Sequence, residues 1–415
     1  MSIPSSCDET DPEALTVEAA LARVLETVQP LEGAQRVDLH GALGRVLAQP
    51  VSAPIDVPPH ANSAMDGYAL RADELAMGTA FRIVGEAFAG HPYRGDIGPG
   101  ECVRVMTGGV MPRDADTVVQ QEHVRVEGER IRVEQAPAAG ANVRQAGEDI
   151  AAGSTVLPAG HRVGSAELGL LASLGLTEVD VRRLPRVAYF STGDELRSAG
   201  EALGEGEIYD SNRHTLHGLL RETGVEATDL GRIPDDEAAT RRVMAQAAAQ
   251  ADLIVTSGGA SVGAADHVTR VLREHGAAQF WKIAMKPGRP LNFGRVDNAW
   301  FFGLPGNPVA VMVTFALFVA PALRRLRGES YAAPLILRAT ARSALRKNPG
   351  RTDFQRGVLT QRPDGTLEVE TSGLQSSHIL SGMSRANCLI RLPRDAGPMA
   401  AGATVDVIPF HALFR

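Results

Sequence analysis

Polar groups follow several short apolar runs in the second half of the chain, in a pattern suited to holding a phosphate and a divalent cation. The clearest run covers residues 253–256 and leads into Ser257, Gly258 and Gly259. A buried strand that closes on paired glycines can present backbone N–H groups to an anion. The same residues also make an ordinary strand-to-helix turn, so both interpretations stay open for this loop alone.

Carboxylates leave neighbouring runs in the same way. Asp194 and Glu195 follow the apolar run 186–190, Asp235 precedes a helical pattern, and Asp266 ends the glycine loop. Carboxylates from three connections are suited to a hard divalent cation, which takes oxygen ligands and often bridges to phosphate. The ordinary alternatives are a helix N-cap for Asp235 and a solvated turn for the pair at 194 and 195.

Cations and a glycine turn come next along the chain. Lys282 and Lys286 are predicted to share one face of a single strand over 279–285 and the residue after it, so that both ammonium groups reach the same anion. Lys282 also fits the role of a charge that protects a sheet edge. A further turn leaves the next strand and consists of Pro305, Gly306, Asn307 and Pro308.

Alternating strand and helix patterns must position these groups. Residues 185–328 alternate between short apolar runs and amphipathic helices, which predicts an α/β domain with a doubly wound, mostly parallel sheet. Ligands of such sheets bind outside the carboxyl ends of the strands. We therefore expect all of these connections to lie along one sheet edge, and that shared position favours a functional site over several unrelated turns.

The rest of the chain is predicted to form further domains. The predicted parts are a disordered tail (1–14), a discontinuous helical and extended domain (15–60 plus 145–184), an inserted small β domain (61–144) and a C-terminal β-barrel-like domain (334–415). These parts offer loop groups that on their own fit plain turns, namely Asp66, Thr107, Asp149, Arg356 and Ser377.

Composition excludes several function classes. The chain has 42 basic and 49 acidic side chains and a net charge of -7, which argues against a nucleic-acid surface. Its three cysteines have neither zinc-ligand nor disulfide spacing, which predicts a reduced, cytoplasmic setting. The polar N-terminus is not a signal peptide, and the apolar run 309–320 is too short for a bilayer, so a buried helix and no membrane partner are expected.

Taken together, the motifs closely resemble the molybdopterin molybdenumtransferase family, which is related to the catalytic part of gephyrin. The resemblance covers nearly the whole chain. It rests on NSAMDGYAL, VMTGG, GANVRQAGED, STGDEL, SNRHTL, IPDDE, TSGGASVGAADH, FWKIAMKPGRP, GLPGNPVA, RTDFQRG and PFHAL. No P-loop, dinucleotide-binding, HExxH or GxSxG motif competes with it.

The resemblance implies a reaction and a set of partners. It implies that molybdate is inserted into adenylylated molybdopterin, that AMP is released, and that Mg²⁺ is required. It also implies a homodimer whose cleft is shared between subunits, and a partnership with the upstream molybdopterin adenylyltransferase.

The resemblance also implies roles for individual residues. The metal ligands would be Asp194, Glu195, Asp235 and Asp266. Catalytic roles would fall to Glu195, Asp266, Asp66, Thr107, Lys282 and Lys286. Substrate would be bound by Ser257, Gly258, Gly259, Ser261, Asp149, Pro305, Gly306, Asn307, Pro308, Arg356 and Ser377, with Arg356 and Ser377 on the molybdate side. Asp66, Thr107 and Asp149 would complete the cleft from the second subunit.

Two other functions fit the same α/β domain. A molybdopterin-binding scaffold would bind the pterin without turnover, and a nucleotide pyrophosphatase would release AMP without molybdate. Both remain alternatives to metal insertion.

Overall fold

The first helix, α1 (Val17–Thr27), begins at Thr16, whose hydroxyl accepts a hydrogen bond from the Ala19 N–H at 3.1 Å. The computed structural model describes residues 13–259, 267–274, 279–329 and 331–414. These fall into two compact units: unit 2 is Arg36–Val181, and unit 1 is the described chain on either side of it.

Unit 2 is built mainly from strands. They are β1 (Ala34–Asp38), β2 (Val51–Ser52), β3 (Asn62–Ser63), β4 (Gly67–Leu70), β5 (Ala80–Ala87), β6 (Glu101–Val105), β7 (Thr117–Gln120), β8 (Val124–Glu127), β9 (Arg130–Val133), β10 (Val143–Arg144), β11 (Thr155–Leu157) and β12 (Glu178–Arg182), with helix α2 (Ser165–Ser173) before the last. Six strands form one sheet in the order β7-β4-β6-β5-β9-β8. The β3–β10 ladder joins the two chain segments that flank this sheet.

The predicted discontinuous domain differs from the observed packing. The sequence pattern predicts one domain from residues 15–60 and 145–184. In the structure, the apolar face of α1 is buried in the core of unit 1, whereas Leu171 of α2 is buried in a separate cluster with Leu47 and Val181. The reason is that Val17, Ala20 and Val24 contact the α/β layer, which offers the larger apolar surface.

Unit 1 contains the expected α/β layer. Its elements are β13 (Arg186–Thr192), β14 (Leu196–Arg197), β15 (Ile208–Tyr209), α3 (Ser211–Glu222), β16 (Glu226–Ile233), α4 (Glu237–Gln250), β17 (Leu253–Ser257), α5 (His267–Glu274), β18 (Gln279–Lys282), β19 (Met285–Lys286), β20 (Pro290–Val296), β21 (Ala299–Leu304), α6 (Pro308–Thr314), a π-helical segment (Phe315–Val319) and α7 (Ala320–Leu326). The main sheet has the order β16-β13-β17-β21-β20-β18, and its first four strands are parallel. Apolar cores cover both faces. This confirms the predicted α/β class with a doubly wound, mostly parallel sheet.

Two details of this sheet were predicted incorrectly. A single strand was predicted between residue 286 and the turn at 305, yet Pro290–Val296 forms a further strand, β20, which is antiparallel to both β18 and β21. The predicted single strand 279–285 ends at Lys282. Beyond that residue the backbone no longer pairs with β20 and forms hydrogen bonds to other segments instead. The Ala284 N–H donates to Leu15, and the Ala284 carbonyl accepts from Thr352.

The C-terminal segment forms a closed barrel. Its elements are β22 (Leu337–Ala341), β23 (Thr352–Gln361), β24 (Leu367–Thr371), α8 (Ser381–Arg385), β25 (Cys388–Leu392), β26 (Thr404–Pro409) and α9 (Phe410–Phe414). The strand order is β23-β24-β22-β26-β25, and β23 pairs again with β25 to close the ring, which confirms the barrel-like prediction. β19 extends this sheet by pairing with β23.

The apolar helix predicted near residue 309 is continuous over Pro308–Leu326. By length and composition its 19 residues would suffice to span a membrane, with a mean hydropathy of 1.8, yet 83% of that stretch is buried within the fold. Its apolar side chains pack against α1 and the parallel sheet, as in a core helix.

Candidate active site

Three carboxylates converge at the carboxyl ends of β13 and β16. These strands are parallel neighbours, with Thr192 opposite Ile233, so the loops that follow them leave the sheet side by side. The Asp194 carboxylate accepts a hydrogen bond from the backbone N–H of Asp235 at 3.0 Å. Glu195 folds back over Gly193, where an added Cβ would lie 2.6 Å from the Glu195 carboxylate. The sheet therefore holds Asp194, Glu195 and Asp235 in one small region.

The surroundings of Asp235 disfavour the ionised form of its carboxyl group. Burial raises the pKa of its carboxyl, and the negative charges of Asp194 and Glu195 raise it further. A hydrogen bond from the Asp194 backbone to this carboxyl and the charge of His267 act in the opposite direction. Removing a carboxylate from water beside like charges is unfavourable, and a bound cation would relieve both effects.

The same residues fit Mg²⁺ in ligand type, although the described chain does not contain a complete metal-binding set. Carboxylate oxygens are the protein ligands that Mg²⁺ prefers, often alongside substrate phosphates. Across residues 13–259, 267–274, 279–329 and 331–414, no three acidic, histidine or cysteine side chains are close enough to form such a set. The fourth expected ligand, Asp266, lies outside the described residues.

The glycine turn follows β17, between β13 and β21 in the sheet. Gly258 and Gly259 have φ angles of 88° and 73°. An added Cβ would lie 2.9 Å from the Thr192 carbonyl oxygen at the first position and 2.7 Å from Val268 at the second. Both positions therefore require glycine.

One proposed anion contact in this turn is already satisfied within the protein. The Gly258 N–H donates to the Leu304 carbonyl at 3.2 Å, so it is not directed at a ligand. Gly258 therefore shapes the turn, and its place among the substrate-binding residues stays a prediction. Ser257 is buried at the end of β17. Ser261 lies outside the described residues.

The turn after β21 is held from two sides. Asn212, near the start of α3, donates its amide to the Gly306 carbonyl at 2.7 Å. Pro305 leaves the strand, and Asn307 is the N-cap residue of α6, with Pro308 in its first turn. The N–H of Val309 donates to the Ser377 carbonyl at 3.1 Å. Ser377, suggested by the resemblance alone, therefore lies at the N-terminus of α6.

Arg356 is the most buried cation of the site, with 1% of its surface exposed. Its guanidinium donates to the carbonyls of Leu374 and Ser376, close to Ser377, while its Nε has no hydrogen-bond partner. Burial lowers its pKa. No carboxylate pairs with it in the part of the chain that the structure describes, so only backbone carbonyls offset its buried charge.

The two lysines do not share one strand, which corrects the prediction. Lys282 ends β18, opposite Pro290, whereas Lys286 belongs to β19 and pairs with Asp353 of the barrel. Both side chains are exposed. Asp353 is 5% exposed, and its pKa is raised by burial, with the charges of Lys286 and Lys347 acting against that rise. The barrel therefore fixes the position of Lys286.

In unit 2, Asp66 and Thr107 form a direct pair. One carboxylate oxygen of Asp66 accepts from the Thr107 backbone N–H at 2.7 Å and from its hydroxyl at 2.8 Å. These two bonds, the backbone one foremost, lower the pKa of Asp66. Asp149 is exposed, and its N–H donates to the Val57 carbonyl at 3.0 Å. No hydrogen bond or ion pair joins it to Asp66 within the described chain.

Sequence reasoning missed two residues that position the site, Asn212 and Asp353. Asn212 belongs to the motif SNRHTL and lies at the start of α3, where its position alone indicates no contact with the turn after β21. Asp353 precedes the barrel segment FQRG, and only the pairing of β19 with β23 reveals its relation to Lys286. The available signal was the run KNPGRTD, which ends in Asp353 and also contains the charged residues Lys347 and Arg351.

Replacing Thr107 by valine tests the electrostatics of this pair. Thr107→Val removes the hydroxyl bond but keeps the backbone bond, so the pKa of Asp66 should rise part of the way to its ordinary value. NMR titration of labelled aspartates measures the change. Thr177→Val, an exposed threonine of the same unit, is the control and should leave the pKa of Asp66 unaltered. An unchanged value in Thr107→Val would show that the hydroxyl does not act on Asp66.

Comparisons with known proteins give the same assignment along the chain. Three family models match in order: the MoeA N-terminal region (domain I and II) over residues 15–175, the probable molybdopterin binding domain over 188–325, and the MoeA C-terminal region (domain IV) over 338–410. Together they cover most of the sequence.

Individual relatives agree with these models. The chain is 41% identical to a molybdopterin molybdenumtransferase of Haemophilus influenzae, over 96% of this chain and 99% of that protein. It is 31% identical to gephyrin of Dictyostelium discoideum, over 94% of this chain and 62% of gephyrin. The crystal structure of a molybdopterin biosynthesis moeA protein from Pyrococcus horikoshii superposes with a TM-score of 0.82 at 28% identity, covering 95% of this chain and all of that one. The chain therefore belongs to the MoeA family of molybdopterin molybdenumtransferases.

Proposed function

We propose that this protein is a transferase that inserts molybdate into adenylylated molybdopterin, releases AMP and leaves molybdenum cofactor. The observation that carries the proposal is the cluster of Asp194, Glu195 and Asp235 at the carboxyl edge of the parallel sheet. The proposal also rests on nearly full-length relatives, which show the family of the chain. Such an edge suits a substrate in which a pyrophosphate joins two organic groups.

The carboxylate cluster is proposed to act with Mg²⁺. Asp194, Glu195 and Asp235, together with Asp266, would hold the ion, which when bound neutralises charge on the pyrophosphate. The raised pKa of Asp235 supports this assignment, because its carboxylate gains most from a nearby cation. The loop after β17 shapes the adjoining wall through its two left-handed glycines.

The basic groups are proposed to receive the anions. Lys282 and Lys286 are exposed and suited to phosphate oxygens. Arg356 is proposed to attract molybdate, with Ser377 beside it. The buried guanidinium without a carboxylate partner supports this role, since an oxyanion would offset the cost of burying its charge.

The active protein is proposed to be a cytoplasmic homodimer. Asp66 and Thr107, with Asp149, would reach the cleft from the second subunit. The low pKa of Asp66 supports a role as an ionised carboxylate at neutral pH, able to orient a donor or accept a proton. The upstream molybdopterin adenylyltransferase is the proposed source of substrate.

AMP release with each component omitted in turn tests the function. We expect AMP only when the protein, adenylylated molybdopterin, Mg²⁺ and molybdate are combined, because insertion couples the two chemical events. Molybdate-independent AMP release would instead indicate a pyrophosphatase, and tight pterin binding without turnover a scaffold. Sulfate in place of molybdate is the control for a general oxyanion effect.

Asp235→Asn tests the metal assignment. We expect Mg²⁺ affinity to fall by at least about tenfold, since even outer-shell partners of metal ligands have effects of that size. The matched control is Glu226→Gln, which removes an exposed carboxylate from the opposite end of the same strand, β16. The measurement is the Mg²⁺ dependence of AMP release together with direct Mg²⁺ titration. Equal Mg²⁺ affinity in Asp235→Asn and the control would contradict the assignment.

A further inference from the structure

A cleft of about 440 Å³ opens on the six-stranded sheet of unit 2, next to Asp66. Its floor contains Tyr68, Arg104 and Glu86, and Gln121 forms part of its wall. The Gln121 N–H donates to the Asp66 carbonyl at 3.1 Å. Only Gly67 separates Asp66 from Tyr68 in the chain. The cleft therefore lies beside the chain segment that carries Asp66.

Strand register places three polar side chains of the floor in one row. Tyr68 of β4 lies opposite Arg104 of β6, and Arg104 lies opposite Glu86 of β5. Directly opposed residues of adjacent strands project from the same face of a sheet. The row therefore presents a phenol, a guanidinium and a carboxylate side by side, with the phenol nearest Asp66 in sequence.

These three groups lack protein partners. Within the described chain, the Arg104 guanidinium, the Glu86 carboxylate and the Tyr68 hydroxyl make no hydrogen bond or ion pair. By contrast, the neighbouring charged residues Arg82 of β5 and Glu101 of β6 form an ion pair with each other. Tyr68 is 4% exposed, Arg104 is half-buried and Glu86 is exposed, so the row runs from a buried phenol to an exposed carboxylate. A ligand with matching donors and acceptors would satisfy all three.

The complementary ligand is a flat heterocycle with two adjacent N–H donors next to a carbonyl. A carboxylate accepts two parallel N–H bonds well, and a guanidinium donates to a carbonyl oxygen. The pyrimidinone edge of a pterin has this arrangement in its 2-amino group, N3–H and C4 carbonyl. Ile83 and Val126 line the cleft beside the polar row and suit a ring face.

We propose that this cleft binds the pterin ring of the substrate, with Glu86 accepting from the 2-amino and N3–H groups and Arg104 donating to the C4 carbonyl. The inference rests on the proposed function for the identity of the ligand. It assigns the inserted sheet a recognition role distinct from the phosphate and metal chemistry of unit 1. Asp66 and Thr107 then adjoin the part of the substrate that extends from the ring.

Binding of 6-hydroxymethylpterin, followed by the fluorescence of the pterin, tests the assignment in the full-length protein. Glu86→Gln should weaken binding by about tenfold, because it removes a charged acceptor and opposes N–H donors with an amide. Arg104→Gln should weaken it as well. The control Glu134→Gln removes an exposed carboxylate that pairs with Arg125 on the same sheet, and it should bind like the wild type. Equal unfolding midpoints would show that the variants fold alike.

Steady-state kinetics separate recognition from chemistry. Glu86→Gln should raise the KM for adenylylated molybdopterin by about tenfold while changing kcat little, because ring contacts act on binding in ground and transition states alike. Absent pterin binding by the wild type, or binding and KM unaltered in Glu86→Gln, would overturn the assignment. Glu86-dependent pterin binding without molybdate-dependent AMP release would support the cleft while refuting the proposed function.

Discussion

Parallel pairing of β16, β13, β17 and β21 is the constraint on which the site in unit 1 depends. Because parallel strands end at a common edge, the loops that follow them must lie side by side there. The backbone ladder, buried on both faces, supplies the stability that keeps Asp194, Glu195 and Asp235 together despite their mutual repulsion. In the proposed site, that repulsion would favour a bound cation and, through it, a pyrophosphate.

The barrel adds a second constraint to the same edge. Pairing of β19 with β23 holds Lys286 beside Asp353, and the segment that contains Ser377 contacts the start of α6 through a backbone hydrogen bond. The buried guanidinium of Arg356, which has no carboxylate partner among the described residues, donates to the Ser376 carbonyl of that segment. Unit 1 thus combines a negative cluster suited to a metal ion with a buried positive charge suited to an oxyanion. A reaction that brings Mg²⁺, phosphate and molybdate together needs both.

Sequence reasoning was sufficient where a local pattern determines the structure. The alternation of strands and helices predicted the sheet, and Gly258 and Gly259 marked a turn that only glycine can form. Sequence reasoning was insufficient where a residue distant in the chain determines where a strand ends or where a helix packs. The strand at β18 ends because Ala284 bonds to Leu15 and Thr352, and α1 joins unit 1 because its apolar face finds the larger surface there. Likewise, the residues next to Arg356 in the sequence do not indicate that its guanidinium is buried. They also do not indicate that it has no carboxylate partner among the described residues.

We propose that one substrate molecule is acted on by catalytic groups of two subunits of a dimer. These groups are the carboxylates of unit 1 in one subunit and the Asp66–Thr107 pair of the other. Mixing two inactive variants, Asp66→Asn and Glu195→Gln, and allowing their subunits to exchange tests this most directly. If the cleft is shared, half of the dimers become mixed and each carries one intact site, so AMP release should recover to roughly a quarter of the wild-type rate. No recovery after verified exchange would contradict the account.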